Sequence, residues 1–196
     1  MFKIIIIILF IIYLNYICYK NGNYFYNETH YKRHKVFDLC YYYLPRLKLD
    51  YTISTIFHWL LILLPFIPFL FPKNENNLDI LKEVIELLLP ILLIRGFTIN
   101  LTVLPSDQKC NTEKISFNEI IHGHCYDKQF SGHLAIVLTF LYVFWKHNII
   151  SIEYYVINVL IVIFYMLLTR GHYTNDLIFS FFVVYFSINE NLKIKF

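Results

Sequence analysis

The sequence predicts an all-α fold, namely a polytopic membrane protein with about six transmembrane helices. Two properties of the composition lead to this class. Hydrophobic residues make up 58% of the 196 positions and charged residues only 16%, whereas soluble domains are nearer half apolar and about a quarter charged. This balance excludes a disordered chain, a collagen-like fibre and an ordinary water-soluble enzyme. The net charge of +3 is too small and too scattered to indicate nucleic-acid binding.

The third observation is that the apolar residues fall into six stretches of about 16–21 residues, each roughly 24–32 Å long as a helix. In chain order they are Ile4–Tyr19, Ile53–Phe71, Val84–Leu104, Phe130–Trp145, Ile152–Thr169 and Tyr173–Ile188. Several are short for a span, which suits a thinner membrane such as that of the endoplasmic reticulum or early Golgi. We expect a single membrane domain over residues 1–196.

The first stretch shares features with a signal peptide and with a signal anchor. Its n-region is only Met1–Lys3, and no small-residue cleavage site follows it. We therefore expect an uncleaved signal anchor with its loop over residues 1–35. A helical core is expected over residues 36–190.

Two charged residues lie inside the third stretch, Glu86 and Arg95. Charges within a span are costly and are usually paired or functional. Lys82, four residues before Glu86, is a simple partner for it. Arg95 lies near the far end, where its side chain could extend to the interface or bind a lipid headgroup, and both roles stay open.

Two short polar runs carry the candidate chemistry, Cys125–His133 and Arg170–Asp176. One apolar stretch, a tight polar turn and a second apolar stretch separate them. A helical hairpin would therefore return His172 to the membrane face where His133 starts. If the last helix begins near residue 172, His172 and Asp176 lie on one side of it at i and i+4. A carboxylate there holds the imidazole in one tautomer and raises its basicity.

These residue types suit attack on the phosphorus of a lipid headgroup. A histidine backed by a carboxylate is a nucleophile, and a second histidine can donate and accept the proton. We therefore predict catalytic roles for His133, His172 and Asp176. Ser131 and Gly132 offer a hydroxyl and backbone N–H groups at a helix start, where phosphate oxygens bind well. Arg170 adds a bidentate cation.

Each of these residues also has a structural interpretation. A single interfacial histidine is commonly a packing residue, Asp176 can be a favourable charge at a helix start, and Asp127 can be a solvated loop acid. Tyr126 and Tyr173 suit either an interfacial aromatic belt or a cation–π contact with a choline group. A zinc site is disfavoured because its candidate ligands are too cramped for a tetrahedral arrangement; these are His122, His124, Cys125 and His133.

Both runs resemble motifs of the sphingomyelin synthase family, which is related to the type-2 phosphatidic acid phosphatases. The family motif C-G-D-x3-S-G-H-T matches Cys125-Tyr126-Asp127 followed by Ser131-Gly132-His133-Leu134. The motif H-Y-x2-D-[VI] matches His172-Tyr173 followed by Asp176-Leu177. The stretch from Arg95 to Pro105 resembles R-x2-T-x3-T-x-L-P at the end of the family's third span. The resemblance covers roughly residues 36–190.

Departures from the family pattern concern substrate identity more than chemistry. Tyr126 replaces a glycine, Leu134 replaces a threonine, and no P-L-P-D sequence occurs. The phosphatase branch would show K-x6-R-P and P-S-G-H. This chain has no Arg-Pro pair, and Phe130 stands where that proline would be, which favours the transferase branch.

The resemblance implies transfer of a phosphocholine-type headgroup from a glycerophospholipid such as phosphatidylcholine to the primary hydroxyl of ceramide. It implies a phosphorylated His172 intermediate, release of diacylglycerol, and no metal or cofactor. Substrate contacts would fall to Ser131, Gly132, Arg95, Arg170, Tyr173 and Asp127. Inositol- or ethanolamine-phosphorylceramide synthesis and lipid phosphatase activity use the same residues. A non-enzymatic ceramide sensor is the remaining alternative.

The family topology and the distribution of positive charge predict opposite sides of the membrane for the site. The family has cytosolic termini and a lumenal or exoplasmic active site, in the Golgi, endoplasmic reticulum or plasma membrane. Eleven of the seventeen Lys and Arg residues would then lie on the active-site side, against the positive-inside rule. We follow the family topology, since some of these cations can serve anionic headgroups. A lumenal loop would make the Asn27-Glu28-Thr29 sequon usable and would allow Cys110 and Cys125 to pair.

Overall fold

The structure is a computed structural model, and it describes residues 2–24, 37–48, 77–102, 104, 129–190 and 192–194, together with the single positions 53, 56, 59, 60 and 63. Over these residues the chain forms helices and no strand. We number the helices α1 (Phe2–Asn23), α2 (Leu39–Tyr43), α3 (Asn77–Leu101), α4 (Gly132–Lys146), α5 (Ile152–Leu168) and α6 (Thr174–Asn189). The all-α prediction is confirmed.

Most helix bounds lie within a few residues of the predicted apolar stretches, but α3 does not. It begins at Asn77 rather than Val84, because Ile80 extends the buried face of Val84 and Leu87 by one turn towards the N-terminus. The predicted second stretch, Ile53–Phe71, lies mostly outside the described residues.

Two helical segments are long and apolar enough to cross a membrane by length and composition, Lys3–Asn23 and Leu78–Leu101. The helices α4 and α5 are apolar but shorter, with 15 and 17 residues. The chain is therefore compatible with a membrane protein.

The helices α3 and α4 are antiparallel. At one end, Gly132 lies against the Arg95 side chain. At the other end, Val84 belongs to the same buried cluster as Phe144, and Lys146 donates to Glu83.

The polypeptide reverses after α4, and α5 leads back to the start of α4. Ser131 Oγ lies 3.4 Å from Met166 Sδ near the end of α5, and the Ser131 N–H donates to Ser180 Oγ of α6 at 2.8 Å. The N-termini of α4 and α6 and the C-termini of α3 and α5 therefore share one end of the bundle, which we call the site end. The predicted hairpin is confirmed.

Helix α1 packs closely on the C-terminal half of α3. A Cβ atom on Gly96 would lie 2.6 Å from Leu14 Cδ1, so the missing side chain allows this approach. Cys18 Sγ donates to the Ile99 carbonyl at 3.3 Å, and Asn100 Nδ2 donates to the Leu14 carbonyl at 2.9 Å. The C-terminal part of α1 thus lies towards the site end.

Helix α6 has its polar face inward and its apolar face outward. The buried residues are Asp176, Leu177, Ser180, Val184 and Ser187. The exposed large side chains are Ile178, Phe181, Phe182, Tyr185 and Phe186. A contiguous apolar face of this kind is unusual on a water-soluble monomer, whereas inward polar groups are typical of membrane bundles.

The opposite end of the bundle, which we call the far end, is held by charged residues around Glu83. Glu83 Oε1 lies 2.7 Å from Lys146 Nζ and 2.8 Å from Lys193 Nζ, and Oε2 lies 2.8 Å from His147 Nε2. The Ile194 N–H donates to the Glu86 carbonyl at 3.1 Å. Residues 192–194 therefore lie against α3. The expected Lys82–Glu86 pair is present at 4.0 Å.

Candidate functional site

The start of α4 is fixed by Ser131. Its Oγ accepts the Leu134 N–H at 3.3 Å as an N-cap. Its backbone N–H donates to Ser180 Oγ. His133 follows in the first helical turn and is half-buried. The predicted phosphate ligand Ser131 is thus a buried capping residue at the start of this helix, and His133 lies just after it.

Arg95 lies inside the bundle against this helix start. Its side chain is buried, with 6% of the residue exposed, and Nη1 donates to Asn15 Oδ1 at 2.8 Å. A Cβ atom on Gly132 would lie 2.8 Å from Arg95 Nε, so only glycine leaves room for the guanidinium there. The structure therefore brings Arg95 and Gly132 together, with the Arg95 side chain inside the bundle.

His172 and Asp176 form the predicted pair. His172 Nδ1 lies 3.4 Å from Asp176 Oδ2, and both residues are buried, with 8% and 0% exposed. The last helix begins at Thr174, within two residues of the expected start near residue 172. Asp176 Oδ2 also accepts the Tyr173 N–H at 3.0 Å. A carboxylate at the third helical position that takes the N-cap N–H fixes the helix start there, and His172 reaches it from the preceding turn.

Ser180 connects this pair to the start of α4, and sequence reasoning missed it. Its hydroxyl donates to the Asp176 carbonyl at 2.6 Å and accepts the Ser131 N–H at 2.8 Å. Ser180 is four residues after Asp176, so the helical repeat from Asp176 was the signal that could have found it. One buried hydroxyl therefore ties the two helix starts that bear His133 and Asp176.

Arg170 occupies the turn between α5 and α6 in the left-handed region, with φ 60°. The Gly171 N–H donates to Met166 O and the Arg170 N–H to Leu167 O, the pattern of a Schellman motif, in which this position is usually glycine. Its guanidinium carbon lies 4.1 Å from the centre of the Tyr41 ring and Nη2 donates to the Tyr41 carbonyl. These contacts attach Arg170 to α2, a role that the sequence did not predict.

The segment around α2 contacts the turn that carries His172. The Asp38 carboxylate accepts the Thr174 N–H at 2.6 Å and the Thr174 hydroxyl at 2.7 Å, and Tyr41 Oη donates to the His172 carbonyl at 2.8 Å. Burial, with a smaller contribution from the nearby Asp38 charge, raises the pKa of Tyr41 well above its usual range. The Tyr173 ring is buried and lies 5.4 Å from the Tyr41 ring.

Several predicted residues lie outside the described part of the chain. They are Asp127, Tyr126, Cys110, Cys125, His122 and His124, together with the sequon Asn27-Glu28-Thr29. Within the described ranges, no group of three or more His, Cys, Asp or Glu residues could hold a metal ion.

The described site therefore contains a carboxylate-backed imidazole, a second histidine near the start of a neighbouring helix, and a buried guanidinium. Comparisons with protein-family models, with curated proteins and with solved structures find no match. This set can supply a nucleophile, a proton carrier and a cation for an anionic group.

Proposed function

We propose that this chain is an integral membrane phosphotransferase that moves a phosphocholine-type headgroup from a glycerophospholipid to the primary hydroxyl of ceramide. The observation that carries the proposal is the buried His172–Asp176 pair, 3.4 Å apart, at the same end of the bundle as His133. The motif resemblance around these residues supports the choice of lipid substrates.

The membrane part of the proposal is a six-span arrangement with the site at one interface. Its support is the outward apolar face of α6 and a similar face on α5. The exposed residues of α5 are Ile152, Val156, Ile157, Leu160, Ile161 and Phe164. Lipid tails would cover these faces, and the buried polar residues of α6 would be paired within the bundle.

The first chemical step forms a phospho-histidine. Nδ1 of His172 faces Asp176, which assigns Nε2 as the nucleophile. Nε2 attacks the headgroup phosphorus, and the P–O bond to the diacylglycerol breaks. His133 gives its proton to the departing oxygen, so neutral diacylglycerol leaves.

The second step reverses the proton transfer. The primary hydroxyl of ceramide loses its proton to His133, and its oxygen attacks the same phosphorus. The P–N bond to His172 breaks, which restores the free imidazole and completes a phosphodiester with ceramide. Each histidine thus returns to its starting state after one exchange.

The charge around the site suits a phosphate group. Helix α4 begins at the site end, and a helix N-terminus carries a partial positive charge of roughly half an elementary unit. The Arg95 guanidinium lies against the first residue of α4. A phosphate oxygen at this position would meet backbone N–H groups and a cation.

The test is headgroup transfer in reconstituted vesicles. Fluorescent ceramide is supplied with phosphatidylcholine, phosphatidylethanolamine or phosphatidylinositol in turn, for wild type, His172→Ala and the control His147→Ala at the far end. We expect a new phosphosphingolipid from one donor, lost in His172→Ala and kept in the control. Release of diacylglycerol or headgroup phosphate without a ceramide product would assign the chain to the lipid phosphatases. No turnover with any donor, from folded protein, would contradict an enzymatic role and leave the ceramide sensor.

A further inference from the structure

We infer that Asp38 and Tyr41 are positioning residues that hold the His172 turn from outside the α5–α6 hairpin. The inference rests on the proposed function, because it concerns the geometry of the nucleophile. Three consecutive residues of the turn are each held by a separate contact. Tyr41 Oη donates to His172 O, the Asp176 carboxylate accepts the Tyr173 N–H, and the Asp38 carboxylate accepts the Thr174 N–H.

The two contacts from the α2 segment differ in origin from the contact of Asp176. Asp176 lies within four residues of its partners, so the start of α6 provides that contact locally. Asp38 and Tyr41 come from 136 and 131 positions earlier in the chain. Their bonds therefore form only when α2 docks on the hairpin, and they restrain the turn against the rest of the fold.

The Asp38 carboxylate accepts hydrogen bonds at the starts of two helices, α2 and α6. Asp38 is the N-cap of α2, where Oδ1 accepts the Tyr41 N–H at 3.0 Å. The same residue accepts the Thr174 N–H at 2.6 Å and the Thr174 hydroxyl at 2.7 Å at the first position of α6. A negative charge at a helix N-terminus is favourable. Asp38 thus fixes the position of α2 relative to α6.

The Tyr41 hydroxyl is itself held in one place. The Arg170 guanidinium lies 4.1 Å from the ring centre on one side, and the Tyr173 ring centre lies 5.4 Å away. Because burial raises the pKa of Tyr41, the phenol keeps its proton and remains a donor to the His172 carbonyl. The α2 segment therefore presents a fixed donor to the backbone of the nucleophile.

Small displacements of a nucleophile are costly, since a misplacement of about 1 Å can lower a rate by roughly 100-fold. Loss of the Tyr41 hydroxyl removes one restraint on His172 and leaves its contact with Asp176. For Tyr41→Phe we therefore expect kcat for headgroup transfer to fall by about 10-fold, a smaller loss than that of a full 1 Å misplacement. Because the lipid contacts are unchanged, KM should stay within about twofold.

The chain offers matched controls on the same helix. Tyr42 and Tyr43 neighbour Tyr41 but are 72% and 74% exposed, so Tyr42→Phe and Tyr43→Phe should leave kcat and KM at wild-type values. Tyr41→Phe with kinetic constants equal to those of the two controls would overturn the inference.

Asp38 provides a rescue experiment. The Thr174 N–H and hydroxyl donate to different oxygens of Asp38. Asp38→Ala loses both bonds, whereas Asp38→Asn keeps one amide oxygen that can accept one of them and remains a good N-cap. We expect kcat per folded molecule to decrease in the order wild type, Asn, Ala. A loss of activity that merely follows the folded fraction of each variant would mean a structural role, and the inference would fail.

A readout that needs no turnover separates this inference from the proposed function. Diethyl pyrocarbonate modifies imidazoles, and mass spectrometry of the peptides gives the reaction rate at each histidine at one fixed pH. Tyr41→Phe and Asp38→Ala should raise the rate at the buried His172 severalfold and leave His147 unchanged. If the wild type transfers no headgroup, the proposed function fails while this rate still tests the turn. Wild-type rates at His172 in both variants would overturn the inference.

Discussion

At the scale of the residue, Asp176 serves two neighbours with one carboxylate. It accepts the Tyr173 N–H and faces His172 Nδ1. The first contact starts α6, and the second sets the tautomer of the proposed nucleophile. The two roles are separable, because an amide oxygen can accept the backbone N–H but cannot offer the negative charge.

We expect Asp176→Asn to fold and to lose transfer activity by about 10⁴-fold, the scale found for a carboxylate–histidine pair whose tautomer is no longer held. Kinetics in reconstituted vesicles and a thermal melt measure the two effects. Asn175→Ala is the control, since residue 175 is adjacent but exposed. An Asp176→Asn variant with wild-type activity would rule out the carboxylate as a partner of His172.

The spacing of residues along the chain predicted the His172–Asp176 contact because both partners lie in one turn. It could not predict Asp38 or Tyr41, since their contacts with the His172 turn depend on how α2 docks on a hairpin more than a hundred positions later. Arg170 was predicted as a phosphate ligand from its charge alone. Charge does not reveal that Tyr41 lies under its guanidinium.

At the scale of the element, the turn before His172 places an arginine where glycine is usual. Arg170→Gly and Arg170→Ala both remove the guanidinium contacts with α2, but only glycine adopts φ 60° without strain. We expect the Ala variant to be less stable than the Gly variant by about 1 kcal/mol. Denaturant or thermal unfolding in detergent measures the difference. Equal stabilities would mean that the left-handed backbone at residue 170 carries no strain.

Close packing between α3 and α4 gives a second prediction. In Gly132→Ala the new Cβ would lie 2.8 Å from Arg95 Nε, so the guanidinium must move away from the helix start. We expect transfer activity to fall by about 10-fold, a fraction of the effect of a 1 Å misplacement, with little change in the melting temperature. The control is Gly171→Ala, whose nearest atom would lie at 3.5 Å, an ordinary contact. Equal activities of the two variants would contradict a role for Arg95 near His133.

Hydrophobic stretches predicted the extent of α1, α4 and α5 well, because these helices are apolar along most of their length. The extent of α6 agrees as closely, whereas the start of α3 was misjudged. Burial at helical spacing sets the start of α3, and a continuous apolar run does not indicate that effect.

At the scale of the whole molecule, Glu83 joins α3, the end of α4 and residues 192–194 at the far end. Glu83→Gln should lower stability by about 1–2 kcal/mol, since Glu83 is mostly buried but its lysine partners are partly exposed. Activity per folded molecule should be unchanged, because the site lies at the other end. Thermal unfolding and vesicle kinetics test both parts, with exposed Asp79→Asn as control. A Glu83→Gln variant that keeps wild-type stability but loses activity would show coupling between the far end and the site end.

Sidedness is a property of the whole chain and can be read from Asn27. The C-terminal part of α1 lies towards the site end, and the sequon follows that helix. With a lumenal site, wild type expressed in eukaryotic membranes should carry a glycan that glycosidase removes and that Asn27→Gln lacks. The opposite topology would give two results together. The wild type would carry no glycan, and a variant with a sequon engineered into the Lys146–Ser151 turn would be glycosylated. This outcome would place the site on the cytosolic side, in agreement with the positive-inside rule.

The inward polar face of α6 has a consequence for biogenesis. A carboxylate at the centre of a bilayer costs about 2.5–3.5 kcal/mol on insertion scales, and Asp176, in the first turn of α6, would cost less than this at an interface. The Asp176 side chain already has the Tyr173 N–H and His172 beside it, and Ser180 donates to the Asp176 carbonyl. In the proposed six-span arrangement, α6 would enter the membrane with these groups paired within its own first turns. Lateral docking on α4 would then add the bond from the Ser131 N–H to Ser180, so insertion of this helix would not have to wait for assembly of the bundle.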